Sequence, residues 1–328
     1  MSPDMDRETF CRQSAVVIVA GKGGVGKTTV TAALARMACE VGLKTLVVEL
    51  DNSAALPKLF GCESCFDYEE TTLYQASDPT GQVVGRVITP DDALMEYLEN
   101  HGLHHLGKRL VSSGVLEVVS SAIPGIREVL VLGKVKQIEV SGAFDLIVVD
   151  APAAGHAVTF LTSALGLVAA ARSGPLRSQA QEVVEMLTDS TRCQVMLVGL
   201  PEETPVNELI ETAFRFEDLV GVALAPVVVN ACYRPLAHLG VDPLVASREA
   251  RRDPPGPDEA AHLVAAARFR ATRQELQAVQ LARLTAGLPL PQLVLPFQFT
   301  ATFGPRQLTA ISESLGSAVD ELEMEFGL

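Results

Sequence analysis

Three groups of residues in this chain of 328 have the types and spacing that chemistry on phosphates requires. The first is the glycine loop GKGGVGKT at 21–28. Gly21, Gly23 and Gly26 satisfy the dinucleotide pattern G-x-G-x-x-G, while Gly21 to Thr28 satisfies the P-loop pattern G-x-x-x-x-G-K-[ST]. Both place backbone N–H groups at a helix N-terminus, where orphan donors and the helix dipole favour phosphate. Glu49 and Asp51 even stand near where the ribose-binding acid of a dinucleotide site would sit. Lys27 and Thr28 separate the two readings. A P-loop uses that ammonium on the β/γ-phosphates and that hydroxyl on Mg²⁺, whereas a dinucleotide site needs neither. The loop reads as a P-loop.

The second group is Asp150 with Gly155 and His156. Asp150 ends the segment FDLIVV at 144–149, whose apolar run 146–149 has the look of a fully buried parallel strand. An acid at that end reads as the Walker B carboxylate, holding Mg²⁺ directly or through a water. Gly155 would let the backbone approach a γ-phosphate. The third is Asp51, at the carboxyl end of the expected strand KTLVVEL at 44–50, on the edge where α/β sheets bind ligands.

The elements that must hold these groups follow from the apolar pattern. A strand at 15–20, the loop, a helix from 28 to about 41 and a strand at 44–50 form a βαβ unit, with Gly42 as the helix C-cap. A short helical piece is expected at 56–60 and a strand or two near 82–88. From Asp91 the pattern turns helical, with further helices at 110–123 and 126–140 broken at Pro124 and Gly125. Helices follow at 157–172 and 179–187, a strand at 193–199, and a helix to about 216. The strand 222–230 is expected to close the parallel set with Asn230 at its end. A charged, proline-rich loop at 248–258 precedes a long helix at 259–286, a strand at 290–297 and a last helix from Pro305. The expected fold class is α/β, a doubly wound and mostly parallel sheet, as one domain over 1–328. Helical parts at about 90–140 and 157–190 would form a subdomain beside the sheet.

Composition narrows the partners. A formal net charge of −14 argues against nonspecific grip on a nucleic-acid backbone, which usually shows as a basic stripe. The first residues have neither a basic nor an apolar signal region, so a cytoplasmic, soluble protein is expected. The apolar helix at 157–171 is too short to span a bilayer, and the acidic last helix does not suit a membrane anchor. Six cysteines are mostly scattered, as buried small hydrophobes would be. Only Cys62 and Cys65 have ligand-like spacing. They offer two thiolates where a structural zinc wants four, so they read as an incidental loop pair.

With these residues in view, the chain resembles the deviant-Walker P-loop ATPases, whose mark is a second lysine in the loop, here Lys22. Within that class it is most similar to the arsenite-pump and guided-entry ATPase family, and to its bacterial single-domain, anion-transporting members. The family's switch I, D-P-A-H, aligns on DNSA at 51–54, and its switch II, D-T-A-P-T-G-H, on DAPAAGH at 150–156. The resemblance covers nearly the whole chain and implies a set of roles. Lys22 would reach across a dimer to the partner's nucleotide, and Asp51 would orient or deprotonate the attacking water. Lys27 and the amides of Gly23, Gly24, Val25, Gly26, Lys27, Thr28 and Thr29 would cradle the phosphates of ATP, and Thr28 would hold Mg²⁺. Asp150 and Gly155 would sense the γ-phosphate. Asn230 and the backbone near Pro296 and Phe297 would hold adenine.

The departures count as well. Asn52 and Ala54 replace the switch I proline and histidine, so a different coupling between hydrolysis and motion is expected. Near Asn230 only Cys232 stands where eukaryotic members carry a zinc CxxC. No cysteine lies between residues 91 and 192, where arsenite-pump members place their metalloid ligands. The expected function is an ATP-hydrolysing switch, homodimeric or paired with a related subunit, that reshapes a helical surface for a hydrophobic protein client or membrane-associated partner. The alternatives are a partitioning or positioning ATPase of the same class, and a slow nucleotide-binding regulatory subunit.

Overall fold

Runs of β-branched residues with no polar interruption bury both faces of a strand, and such strands assemble where helices cover the sheet on both sides. The computed structural model, which describes residues 6–50, 55–63, 68–77, 80–100 and 125–326, follows that rule. Among the described residues a nine-stranded sheet has the order β3-β4-β2-β5-β1-β6-β8-β9, with β7 pairing to β6. The strands are β1 (Val16–Gly21), β2 (Lys44–Glu49), β3 (Thr71–Gln75), β4 (Gln82–Val87), β5 (Leu146–Ala153), β6 (Cys193–Gly199), β7 (Ala223–Leu224), β8 (Val227–Cys232) and β9 (Gln292–Pro296). All pairings are parallel except that of β3 with β4. Strand β1, buried along its whole length, sits centrally between β5 and β6.

Helices divide between the two faces. On one, α2 (Lys27–Glu40) lies under α11 (Pro305–Phe326), with α1 (Arg7–Cys11) and α3 (Ala55–Leu59) beside them. Leu34 and Met37 of α2 share a buried cluster with Val47, Val148, Leu308, Ile311, Leu315 and Val319. The first and last described helices meet here, where Arg7 Nη2 donates to Asp320 at 2.6 Å. On the other face lie α5 (Ile126–Ser141), α6 (Ala154–Ala170), α7 (Pro175–Thr188) and α8 (Glu203–Val220). Their Val129, Leu161, Met186 and Phe216 pack against Ile18, Val48 and Val149. Helix α4 (Pro90–Asn100) packs on α5. Helices α9 (Pro243–Glu249) and α10 (Pro257–Gly287) extend from the α8 side.

The structure departs from the sequence reading in particular places. The single strand expected at 222–230 is two, because Pro226 cannot donate to a ladder and interrupts the run. It does not close the parallel set, since β9 continues it. Helix α6 begins at Ala154 rather than 157, so Gly155 and His156 belong to its first turn and not to a loop. The helix expected at 110–123, the switch I residues 51–54 and Cys65 lie outside the described residues.

Candidate functional site

The carboxyl ends of β5, β1, β6 and β8 line one edge of the sheet, and the predicted site residues among those described gather there. The chain leaves β1 at Gly21, where a Cβ would stand 2.3 Å from the Val198 carbonyl oxygen of β6. Only glycine lets the strand end that close to its neighbour. Gly26 N-caps α2 at φ 92°, and a Cβ there would meet Asn230 Nδ2 at 2.3 Å. Position 26 therefore excludes other residues twice, by backbone conformation and by contact. A Cβ on Gly23 or Gly24 would meet nothing within 4 Å, so the outer side of the loop is open.

Helix α2 starts with no side-chain cap and no acid in its first turn. Its orphan amides and the positive end of its dipole are thus left for an anion. The Lys27 ammonium donates to the Lys22 carbonyl at 3.2 Å, lying back along the loop. Loop, amides and lysine together match what a polyphosphate needs.

Asp150 meets this loop from the neighbouring strand. Register pairs it with Val19 of β1 on one side and Glu49 of β2 on the other. Thr28 Oγ1 donates to Asp150 Oδ2 at 2.6 Å, and Thr31 Oγ1 to Oδ1 at 3.4 Å. A hydroxyl and a carboxylate in contact are hard oxygen ligands, the kind Mg²⁺ takes in small number while keeping waters and substrate phosphates. The residues fit the ion. Among the described residues no group of three or more His, Cys, Asp or Glu could hold a metal by itself. Glu49, the acid that mimics a ribose ligand in the sequence, is buried, and its Oε1 accepts from the Leu56 amide at 3.3 Å. Gly155 lies in the first turn of α6, with open space where a Cβ would be.

Asn230 faces the loop. Its Nδ2 donates to the Val25 carbonyl at 2.9 Å, and its Oδ1 accepts from Ala231 N at 2.9 Å. Ala231 holds a left-handed φ of 59°, and buried Gln277 of α10 braces the turn by accepting from Tyr233 N at 2.7 Å. Pro296 pairs with Cys232 across β9 and β8, and Phe297 N donates to the Cys232 carbonyl at 2.8 Å. The structure thus brings Asn230, Pro296 and Phe297 to adjacent strand ends. Beside them a cleft of about 1100 Å³ is lined by Tyr233, Arg270, Phe297 and Phe299. Tyr233 stacks on Phe299 at 5.7 Å, and the Arg270 guanidinium lies 4.3 Å from the Tyr233 ring centre. Burial pushes the Cys232 thiol up to about 12, so it is a neutral packing group at ordinary pH.

Lys22 takes a different direction. Its ammonium contacts Glu208 Oε1 of α8 at 2.6 Å, with both side chains partly exposed. Asp51 lies outside the described residues. Sequence reasoning missed three partners. Thr31 could have been found, because it stands one turn beyond Thr28 on the same helix face. Neither the bond from Asn230 to Val25 nor the meeting of Glu208 with Lys22 leaves a local signal, since each joins segments far apart in the chain.

Comparison with known proteins bears on the same residues. The family described as anion-transporting ATPase matches residues 14–168, which span β1, the loop, Asp150 and most of α6. The ATPase BagA of Mycobacterium tuberculosis is 33% identical over 245 residues, covering 72% of this chain and 70% of the relative. A putative arsenical pump-driving ATPase of Halobacterium salinarum is 28% identical over 228 residues, 64% of this chain and 34% of that one. The ATPase get3 of Schizosaccharomyces pombe is 28% identical over 177 residues, 51% of each chain. Among the described residues no helix is long and apolar enough to cross a membrane.

Proposed function

Because the chain belongs to the anion-transporting ATPase family of arsenical-pump and guided-entry proteins, and is an ATPase, we propose that it works as a pair of copies sharing two nucleotide sites. ATP closes the pair across the two loops and hydrolysis reopens it. In each copy the α2 amides and Lys27 hold the phosphates, and Thr28 with Asp150 holds Mg²⁺, which neutralises phosphate charge when bound. Asp150 and the first turn of α6, at Gly155, sense the γ-phosphate. Asp51 orients the attacking water or takes its proton. Asn230, Pro296 and Phe297 border the base. Lys22 crosses to the partner's phosphates and stabilises charge that develops there during transfer. The helical parts at about 90–140 and 157–190 act as the subdomain that transmits closure to a hydrophobic client or membrane-associated partner. No arsenical role is proposed, given the absence of cysteines between residues 91 and 192.

The observation that carries this reading is Lys22 itself. It is a second lysine in the loop, and its ammonium contacts α8 rather than another residue of the loop. A lysine serving its own phosphates would duplicate Lys27. The test is ATP turnover per chain as protein concentration rises, with assembly state followed by mass photometry. Turnover should climb with concentration, and Lys22→Ala should lower its plateau by about 100-fold, the scale of losing one charge-stabilising donor. Turnover per chain that is constant over the dilution series, with Lys22→Ala equal to the parent, would overturn the shared site. Asp51→Asn should also abolish turnover while ATP still binds.

A further inference from the structure

Helix α8 lies against the glycine loop, and its position is set by packing. Val206 and Leu209 are buried. Leu209 Cδ1 fills the place where a Cβ on Gly199 would stand, 2.5 Å away, so the helix rests directly on the β6 backbone. Between α8 and the loop, Gly21, Lys22, Val25, Pro205, Glu208 and Leu209 leave a gap of only about 10 Å³. That is close to the room of a single water. From its outer side α8 is tied to α10, where Arg273 donates to Glu202 at 3.1 Å and Arg283 to Asn207 at 2.6 Å. Glu208 therefore stands at a fixed place beside the loop, one residue before a buried leucine, and the Lys22 ammonium lies on it at 2.6 Å.

We propose that Glu208 is a positioning residue for ATP turnover: it holds Lys22 on its own subunit until a second copy offers phosphates to receive it. The proposal rests on the shared-site reading and names the group that competes with the partner's nucleotide for Lys22. The competition is weighted for release. The Lys22 and Glu208 side chains are 44% and 40% exposed, and an ion pair that open to water shifts an equilibrium by no more than about fivefold. A polyphosphate carries several charges against the single one of Glu208, so the contact delays transfer without preventing it. Helix α8 also packs on α6, whose first turn follows Asp150. A shift of α6 would therefore carry Glu208 relative to the loop.

The experiment is the same dilution series, run on the full chain with Glu208→Gln, Glu208→Asp, Lys22→Ala and the double variant Lys22→Ala/Glu208→Gln. Removing the charge should lower the protein concentration for half-maximal turnover by about two- to fivefold, with KM for ATP at saturating protein unmoved. Glu208→Asp keeps the charge and should restore at least half of that shift. In the Lys22→Ala background, Glu208→Gln should have no effect on the concentration of half-assembly read by mass photometry. A midpoint unchanged or raised by Glu208→Gln overturns the positioning role alone. So does a shift that persists without Lys22, because the carboxylate would then act through the helix. Turnover that never depends on concentration overturns the shared site first, and this inference with it.

Discussion

Two alanine-rich helices in this molecule have opposite fates. Helix α2 buries Val30, Thr31, Ala32, Ala33, Leu34, Ala35, Met37, Ala38 and Cys39 out of 14 residues. Helix α10, at 31 residues, buries only Gln277 and Leu284, and leaves Leu263, Val264, Phe269, Leu276 and Val279 facing solvent. The difference is in the surroundings. Helix α2 is trapped between the sheet and α11, where small side chains let backbones approach closely and hold the glycine loop rigid. In α10 the same alanines chiefly supply helix propensity, and the helix meets the body through α8 and the turn at Tyr233. Alanine thus marks close packing in one helix and an exposed rod in the other. The proposed phosphate site lies at the head of the trapped helix, where a preorganised site needs rigidity.

The contrast can be broken most forcefully at Gly26. Gly26→Ala forces a left-handed alanine and drives its Cβ onto Asn230. Turnover should fall by about 100-fold or more, as expected when a donor of such a site is misplaced; a variant within threefold of the parent would show that the loop is plastic. Next comes a matched pair read by urea unfolding. Ala35→Leu in α2 should cost about 1–3 kcal/mol by overpacking, while Ala265→Leu in α10 should stay within about 0.5 kcal/mol. Equal costs would mean the two helices are not differently held. Gln277→Leu sharpens the exception within α10. It removes the acceptor of the Tyr233 amide and should cost about 1–2 kcal/mol, with some loss of ATP affinity through Asn230.

The smallest effect concerns pH. Burial pushes the Cys39 thiol of α2 to about 11 and Cys193 to about 12, while an unfolded thiol ionises near about 8.5. The folded chain holds those protons longer than the unfolded one. Their contribution to stability is full below the unfolded value and declines as pH rises from there toward the folded values. Unfolding free energy should therefore slope downward above pH ~8.5, and Cys39→Ala should flatten the slope. Cys193 lies on the other face of the sheet and α10 carries no cysteine, so it is the change of slope in Cys39→Ala, and not the slope itself, that reports on the α2 side. An unaltered slope in the variant would sink this assignment.

What could be read in the sequence divides along similar physical lines. Strands β1, β5 and β6 were legible to within a few residues, because burial on both faces forces unbroken apolar runs. The edge strand β3, TTLYQ, was not legible as a strand of its own, since three of its five residues are exposed and its partner is antiparallel. Lys27, Thr28 and Asp150 stand out in the sequence as candidates, by residue type together with motif spacing. The hydrogen bond joining Thr28 to Asp150 depends on β1 and β5 pairing in a particular register, which the motif presupposes without stating. Glu208 was invisible. It is one glutamate among several on α8, and only the meeting of that helix with the loop distinguishes it.

The covering of α2 by α11 also has a consequence for synthesis. Arg7 and Asp320 bond across 313 residues of chain, and β5 and β6, which flank the loop's strand, likewise follow it at long range. At about 5–20 residues per second, the loop and α2 leave the ribosome tens of seconds before the last helix can cover them. For that interval Leu34 and Met37 have no lid, and the apolar flank of the phosphate loop is open to whatever else is nearby. A nascent chain of this protein should thus depend on holding factors until its final helix is made.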